Sequence, residues 1–468
     1  MAGTLEELFE LDEHGTDVRT EVLAGVTTFL TMSYIVVVNP FILTAFPDDD
    51  IPGGIAIDGF GPGEVVQMLA VVTILASVVA MLVMAFYANR PFGLAPGLGL
   101  NAFFAITVVG ILGVPWETAL AAIVVEGVVF ILLTVVGARE YVIRLFPEPV
   151  KFAVGTGIGL FLAIIGLQAM GVVVNDAATL ISLGNVASDP VAILSVLGLF
   201  FTLVLYAAGV RGSIVIGIGV TTLVGWGLTL AGFFEQGTLT PGSIPSAQYN
   251  IAPLAGAFVE GFANVEAFSF ALIVFTFFFV DFFDTAGTLV GVGQAGGFLD
   301  EDGNFPDIDK PLMADAVGTT VGGMLGTSTV TTFVESATGV EEGGRTGLTA
   351  LVVAGLFLAS LVVVPLAAAI PQYASHIALV VVAVLLMRNV VDIDWEDFSH
   401  AVPAGLTIMV MPFTYSIAYG IAAGIISYPL VKTAKGEFDD VLLGQWALAA
   451  AFVVYFVVRT GGVLQGAV

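Results

Sequence analysis

Long stretches without a single Asp, Glu, Lys or Arg constrain this chain more than any other feature: residues 65–89, 91–116, 152–175, 190–210, 212–234, 346–387, 398–431 and 441–458. A helix needs about 20 apolar residues to cross the hydrocarbon core of a bilayer. Most of these stretches therefore hold one crossing, and the longest hold two. Backbone polar groups in lipid must be satisfied within the segment, which leaves helices as the reading for runs this apolar. Charged residues make up 11% of the chain, against about 25% in soluble domains. The expected class is an all-α polytopic membrane protein in the cell membrane.

The pattern predicts about fourteen membrane segments. The first half has 20–43, 64–88, 96–111, 115–137, 150–173, 190–209 and 212–234. The second has 264–291, 311–326, 329–341, 346–370, 374–391, 401–414 and 416–432, with a last apolar stretch at 441–458 that crosses or lies in the interface. If Pro412 does not break 398–431, the last stretch becomes the fourteenth span. With the N-terminus inside, Arg19, Arg90, Arg139, Arg144, Lys151, Arg211, Lys310, Arg345, Arg388, Lys432 and Lys435 share one side, and only Arg459 can fall outside. Cytoplasmic loops are enriched in Lys and Arg, so the N-terminus is expected in the cytoplasm. Residues 1–19 read as an acidic tail without the basic start and short apolar core of a signal peptide.

Twelve Lys and Arg against thirty-nine Asp and Glu give a net charge of −27. The acids sit mainly in loops, at Asp48 to Asp50, Asp300 to Asp309, Asp392 to Asp397 and Glu437 to Asp440. Such a surface reads as adaptation to a salt-rich, halophilic cytoplasm, or simply as a solvated acidic face. It argues against a nucleic-acid partner, which needs basic patches. With no cysteine, disulfides and thiolate metal sites are excluded.

Two short segments interrupted by Gly, Pro or hydroxyl residues occupy matching places in the two halves: GLAPGLGLNAFFA at 93–105 and GTSTVTTFVESATGV at 326–340. Each is the third segment of a seven-segment half, and an odd number of crossings per half makes the halves oppositely oriented. Interrupted segments at corresponding positions point to a transporter binding site. The alternative is close helix packing through small residues, which 56 glycines make a serious competitor.

The helix carrying FVDFFDTAGTLVGVGQ (279–294) places Asp281 and Asp284 three residues apart, hence on one face. An ionised Asp at the bilayer centre costs about 2.5–3.5 kcal/mol on insertion scales. No Lys or Arg lies within the apolar part of a span to offset it, leaving protonation, a cation, a polar ligand or local donors. For Asp284, followed by Thr285-Ala286-Gly287, capping of a helix break is an equal alternative. Glu335 follows the hydroxyl-rich run Thr327, Ser328, Thr329, Thr331 and Thr332. An interfacial carboxylate near Arg345 is its alternative, and the preferred reading for Glu341 and Glu342. Asn101 is the polar counterpart in the third segment, with both donor and acceptor. The hydroxyls of Thr332 and Ser336 and the ring of Phe282 complete the candidate substrate-binding set, and Glu126 is a second-rank candidate for packing or coupling. His14, His376 and His400 lie near span ends or in the tail, against a histidine relay. The expected pocket offers carboxylates, an amide, hydroxyls and Phe rings but no cation. It suits a flat, neutral, hydrogen-bonding ring better than an anion. Buried carboxylates also carry protons, so Asp281, Asp284 and Glu335 are candidates for proton coupling.

These motifs, with TMSYIVVVNP (31–40) and VPAGLTIMVMPFTYSIAYGI (402–421), resemble the nucleobase–cation symporters of the xanthine/uracil permease superfamily, and most nearly the AzgA-like hypoxanthine–adenine–guanine permeases. The resemblance spans residues 17 to 432 or so. It implies two inverted seven-span repeats, 20–245 and 246–435, followed by a C-terminal apolar segment at 436–468. Spans 1–4 and 8–11 (20–137 and 264–370) would form a core domain, and spans 5–7 and 12–14 (150–234 and 374–432) a gate domain. The third and tenth segments would each be part strand and part short helix. Asp281 and Glu335 would bind a purine base, Asn101 would complete the site, and Asp284 would support coupling or local structure. The implied activity is proton-driven purine uptake by alternating access, with no cofactor beyond the proton gradient and a homodimer as one possible assembly. Uracil or xanthine as substrate, or Na⁺ as coupling ion, is the second reading. A membrane channel or a non-transporting sensor is the third reading; a channel would show polar faces along several helices, and an enzyme a metal cluster, nucleophile–base set or phosphate loop. None of these patterns is present in the sequence.

Overall fold

The computed structural model describes residues 2–46, 53–137, 145–263, 265, 267–298 and 305–460. The acidic loop positions Asp48 to Asp50 and Asp300, and the basic positions Arg139 and Arg144, lie outside the described residues.

A short helix α1 (Ala2–Leu8) precedes a first membrane segment split into α2 (Val18–Met32) and α3 (Ile35–Leu43). Then come α4 (Pro62–Val83), strand β1 (Leu94–Pro96), α5 (Leu98–Ala102), α6 (Trp116–Val135) and α7 (Glu148–Ala169). A surface hairpin, β2 (Val173–Asp176) and β3 (Leu180–Leu183), leads to α8 (Pro190–Ala207) and α9 (Ser213–Leu230). The second half runs α10 (Ala267–Gly296), α11 (Asp309–Leu325), β4 (Val330–Thr332), α12 (Ser336–Glu341) and α13 (Gly347–Ser360). It continues with α14 (Gln372–Leu386), α15 (Phe398–Thr414), α16 (Ile417–Ala434) and α17 (Leu443–Thr460). Among the described residues, ten helical stretches are long and apolar enough to cross a membrane. The chain is a mostly helical, multi-pass membrane protein. It is not all-α, because four short strands interrupt the helices among the described residues.

Acidic loop residues have local work at helix starts. Asp17 accepts from Thr20 N at the head of α2, Asp189 from Val191 N at α8, and Asp397 from Ser399 N at α15. Each satisfies an orphan N–H of a first turn. Part of the negative charge is therefore helix capping. The split between α15 and α16 falls at Tyr415, whose φ of 49° is the left-handed region, three residues past Pro412. The two helices form separately, as the spans at 401–414 and 416–432 anticipate.

The acidic tail does not hang free. Phe9 and Leu11 are fully buried, and Phe9 stacks on Phe86 at the end of α4. The Asn89 amide ties this region together by donating to Phe9 O and accepting from Gly347 N.

Two packing sets are evident. In one, α2, α4, α6, α11 and α13 pack together and α12 packs on α2; in the other, α7 packs on α14 and α15, while α8 and α9 pack on α14. Close approach in the first set depends on glycine: a side chain at Gly127 of α6 would collide with the Thr320 backbone of α11. A Phe cluster joins α10 to its neighbours, with Phe130 against Phe278 at 4.6 Å and Phe146 against Phe283 at 4.2 Å. The C-terminal α17 lies along α16 and sends Phe452 against Phe275 and Phe279 of α10.

Candidate substrate site

The third and tenth segments meet at the centre of the first packing set. β1 and β4 pair antiparallel, with Leu94 opposite Thr332, Ala95 opposite Thr331 and Pro96 opposite Val330. The ladder continues one step at each end, through Gly97 N to Thr329 O (3.1 Å) and Phe333 N to Gly93 O (2.9 Å). Each three-residue strand thus satisfies backbone groups that a broken helix would leave orphaned at membrane depth. Gly326, at φ 100°, ends α11 and turns the chain into β4. α5 is prolonged as a π-helix through Ile111, a departure from α geometry frequent at functional sites.

Side chains tie the crossing together. Ser328 Oγ donates to Asn101 Oδ1, linking the tenth segment to the third. Asn101 Nδ2 reaches Pro96 O at 3.4 Å. Thr285 Oγ1 donates to Asp281 Oδ1 (3.0 Å) and lies 2.9 Å from Thr331 Oγ1, which joins α10 to β4. Asn39 donates to Thr73 Oγ1 (2.6 Å) and Thr327 Oγ1 (3.0 Å), fixing the approach to β4.

Beside this crossing is a cavity of about 650 Å³, inside the ~300–1,000 Å³ range of small-molecule sites. One wall is Asp284, Thr288 and Gly291 of α10 with Glu335 and Thr338 around α12. The lining also includes Lys151, Val154 and Gly155 of α7 with Leu385, Leu386 and Asn389 at the end of α14. Glu335 caps α12 in position but not through its side chain. Its carboxylate instead accepts from Tyr34 Oη, and the Ser33–Tyr34 break between α2 and α3 sets that hydroxyl in place. Asp284 abuts the start of α5: a side chain at Gly97 would sit 3.3 Å from Asp284 Oδ2. The positive end of the α5 dipole faces this carboxylate.

The structure distributes the candidate residues over two layers. Asp284 and Glu335 line the cavity together. Asp281 and Asn101 are buried one layer behind, at 1% and 0% exposure, held by the hydroxyls just described. Thr332 gives its hydroxyl to Asp315 Oδ1 (2.9 Å), and Ser336 Oγ accepts from Gly93 N (2.9 Å), so both brace the strand pair. Phe282 points into the Phe cluster beside Phe130, Phe146 and Phe278 rather than at the cavity. Glu126 is fully buried in α6, away from the cavity lining. The expectation of a pocket without cations is corrected, because Lys151, Arg211 and Arg388 all line it. Arg211 pairs with Glu342 across the mouth. Sequence reasoning missed Tyr34, Thr285, Lys151 and Asp315. Tyr34 and Asp315 carried a signal, a polar group in an apolar segment; Lys151 was already accounted for by charge asymmetry.

A profile of the Permease family, the xanthine/uracil permeases, matches residues 19–423. The chain belongs to the xanthine/uracil permease family. This permease is 40% identical to the adenine permease AdeP of Escherichia coli over 94% of its own length and 92% of that protein. It is 38% identical to the guanine/hypoxanthine permease PbuO of Bacillus subtilis over 97% and 99%. These relatives support the purine branch of the family, whose members are transporters and not enzymes. The fold is shared with the transmembrane domain of the cyanobacterial bicarbonate transporter BicA, at a TM-score of 0.60 and 15% identity, over 87% of this permease and 97% of that chain.

Proposed function

We propose that this permease imports purine nucleobases by proton symport. The observation that carries the reading is the cavity wall on which Asp284 and Glu335 stand together beside the paired broken segments. An ionised carboxylate accepts two N–H groups from one edge of a purine. The same group, partly withdrawn from water, takes up and releases a proton. Asp281, hydrogen-bonded to Thr285 behind Asp284, belongs to the same carboxylate set and shares the coupling role. The adenine and guanine/hypoxanthine relatives support purines over uracil as substrate.

The movement we propose is alternating access of a core domain (about 20–137 and 264–370) against a gate domain (about 150–234 and 374–432). The two packing sets support this division, and the antiparallel strand pair is what two inverted seven-span repeats would produce. The cavity lining carries Lys151, Arg211 and Arg388; by charge asymmetry their end of the cavity and the N-terminus are cytoplasmic. The acidic surface suits a salt-rich cytoplasm.

The test is uptake of radiolabelled hypoxanthine, adenine, guanine, uracil and xanthine into proteoliposomes at high salt, with and without an inward proton gradient. Wild type runs beside Glu335→Gln, Asp284→Asn and Asp281→Asn. Gradient-stimulated purine uptake that fails in the variants is the expected result. Purine uptake that follows Na⁺ and ignores pH would replace the coupling ion, and no uptake of any base would end the purine reading.

A further inference from the structure

The motif TMSYIVVVNP (31–40) grips the tenth segment on both sides of β4. α2 ends at Met32 and α3 begins at Ile35, so Ser33 and Tyr34 form a break in the first membrane segment. Beyond the break, Asn39 of α3 holds Thr327 ahead of β4, at 3.0 Å. Before it, α2 lies so close to α12 that a side chain at Gly339 would sit 2.8 Å from Ala24 O. The hydroxyls of Thr31 and Thr338 are 3.1 Å apart along the same contact. Tyr34, in the break itself, is 1% exposed and donates its hydroxyl to Glu335 Oε1. A buried phenol takes a hydrogen-bond partner, and here that partner is a carboxylate of the cavity wall. An ionised carboxylate only accepts, through two oxygens. Tyr34 engages one of them, and the other is left for a ligand.

We propose that Tyr34 is a positioning residue of the substrate site, its hydroxyl holding Glu335 Oε1 so that Glu335 meets the substrate through Oε2. This assignment rests on the reading of Glu335 as a purine-binding group. Tyr34 lies outside the cavity lining and acts on a ligand only through Glu335. The ring and the hydroxyl have separate tasks. The ring fills the break between α2 and α3, which phenylalanine would fill as well. The hydroxyl supplies a donor to a charged acceptor, and phenylalanine would leave that oxygen against an apolar edge, where a charge without a donor is costly. The carboxylate would then turn to find another partner, and the ligand would lose a fixed acceptor.

The experiment uses the full chain, purified in detergent at high salt. Equilibrium binding of labelled hypoxanthine gives the Kd and the number of sites for wild type and Tyr34→Phe. Tyr34→Phe is expected to raise Kd by about 10- to 150-fold, the span of one hydrogen bond to a charged group, with the number of sites unchanged. An unchanged Kd with fewer sites is what a merely structural tyrosine gives, and it overturns the assignment. Infrared spectra recorded without any ligand supply a second readout. The carboxyl band that disappears in Glu335→Gln is expected to shift in Tyr34→Phe, because one of its oxygens loses a donor. An unmoved band overturns the assignment even where Kd rises, since Tyr34 then acts elsewhere than on Glu335. Wild type that binds no purine base while the band still shifts overturns the purine reading and leaves Tyr34 as the residue that positions Glu335 for another ligand.

Discussion

Glu21 supplies the sharpest test of how the first packing set is held. It lies in α2, is fully buried, and accepts from Arg345 N (2.8 Å), Thr346 N (3.3 Å), Thr349 N (3.2 Å) and Thr349 Oγ1 (2.6 Å). One carboxylate thus closes the N-terminus of α13 from a helix more than three hundred residues away in sequence, where helix dipole and orphan N–H groups both favour an anion. In Glu21→Ala, two of the four donors have an alternative: Thr349 N already reaches Thr346 O at 3.2 Å, and its hydroxyl reaches Glu21 O at 3.2 Å. Arg345 N and Thr346 N do not, and a buried unsatisfied donor costs about 1–3 kcal/mol. The expected loss is therefore about 1–6 kcal/mol, one such cost for the buried Thr346 N and up to another for the half-buried Arg345 N. Glu21→Gln keeps one acceptor oxygen and loses the charge, for about 1–3 kcal/mol. Equilibrium unfolding in detergent micelles at high salt, read by the four tryptophans, measures both. An alanine variant within about 0.5 kcal/mol of wild type, the range of an ordinary surface change, or a glutamine variant as costly as alanine, refutes the capping account.

Phe282→Ala is expected to lose about 3–5 kcal/mol of stability through the cavity it leaves among Phe130, Phe146 and Phe278. Folded variant should keep the wild-type KM for purine, and a KM rise without destabilisation would return Phe282 to the substrate wall. At the mouth, Arg211 and Glu342 form an ion pair between the two packing sets, and exposed pairs of this kind are worth about 0–1 kcal/mol. Arg211→Glu should change the transport rate by up to about fivefold at low salt, and Arg211→Glu with Glu342→Arg should restore it. If the double reversal is no better than the single, the pair plays no part in domain movement. Asp397 is held below the usual carboxylate range, first by hydrogen bonding to Lys435 and then by Ser399 N. A carboxylate lowered on folding stabilises above its unfolded pKa, so this contribution is full above about pH 4 and fades as pH falls further. Asp397→Asn should remove that acid dependence from the α15–α16 region, as followed by hydrogen exchange, and an unchanged acid profile would refute it.

Much of the fold is legible in the chain because lipid removes alternatives. Segments such as 62–88 and 116–135 announce themselves by length and apolarity, and Tyr415 and Ser416 break 398–431 close to where Pro412 suggests. The strands are harder to see. Leu94–Pro96 and Val330–Thr332 are three residues each, too short for alternation to separate them from helix, and their pairing joins positions far apart in sequence. The carboxylates of the site stand out because an acid in an apolar run has few explanations, yet which face each presents depends on tertiary packing. Asp281 and Asp284 share a helix face, but the Thr285 hydroxyl engages the first and the cavity receives the second. Lys151 was hidden for the opposite reason. Its place near a span end already had an explanation in charge asymmetry, and only tertiary packing brings it into the lining of the same cavity as Glu335.

Proton movement during transport is the most direct measurement of the central proposal. Hypoxanthine would be added to lightly buffered proteoliposomes with no imposed gradient, and external pH followed at high salt. Alkalinisation that begins with purine addition, is absent with uracil, and is lost in Glu335→Gln is the predicted result. Labelled hypoxanthine entering with no accompanying pH change would contradict proton symport, and failure of hypoxanthine, guanine and adenine all to enter would contradict purine transport itself.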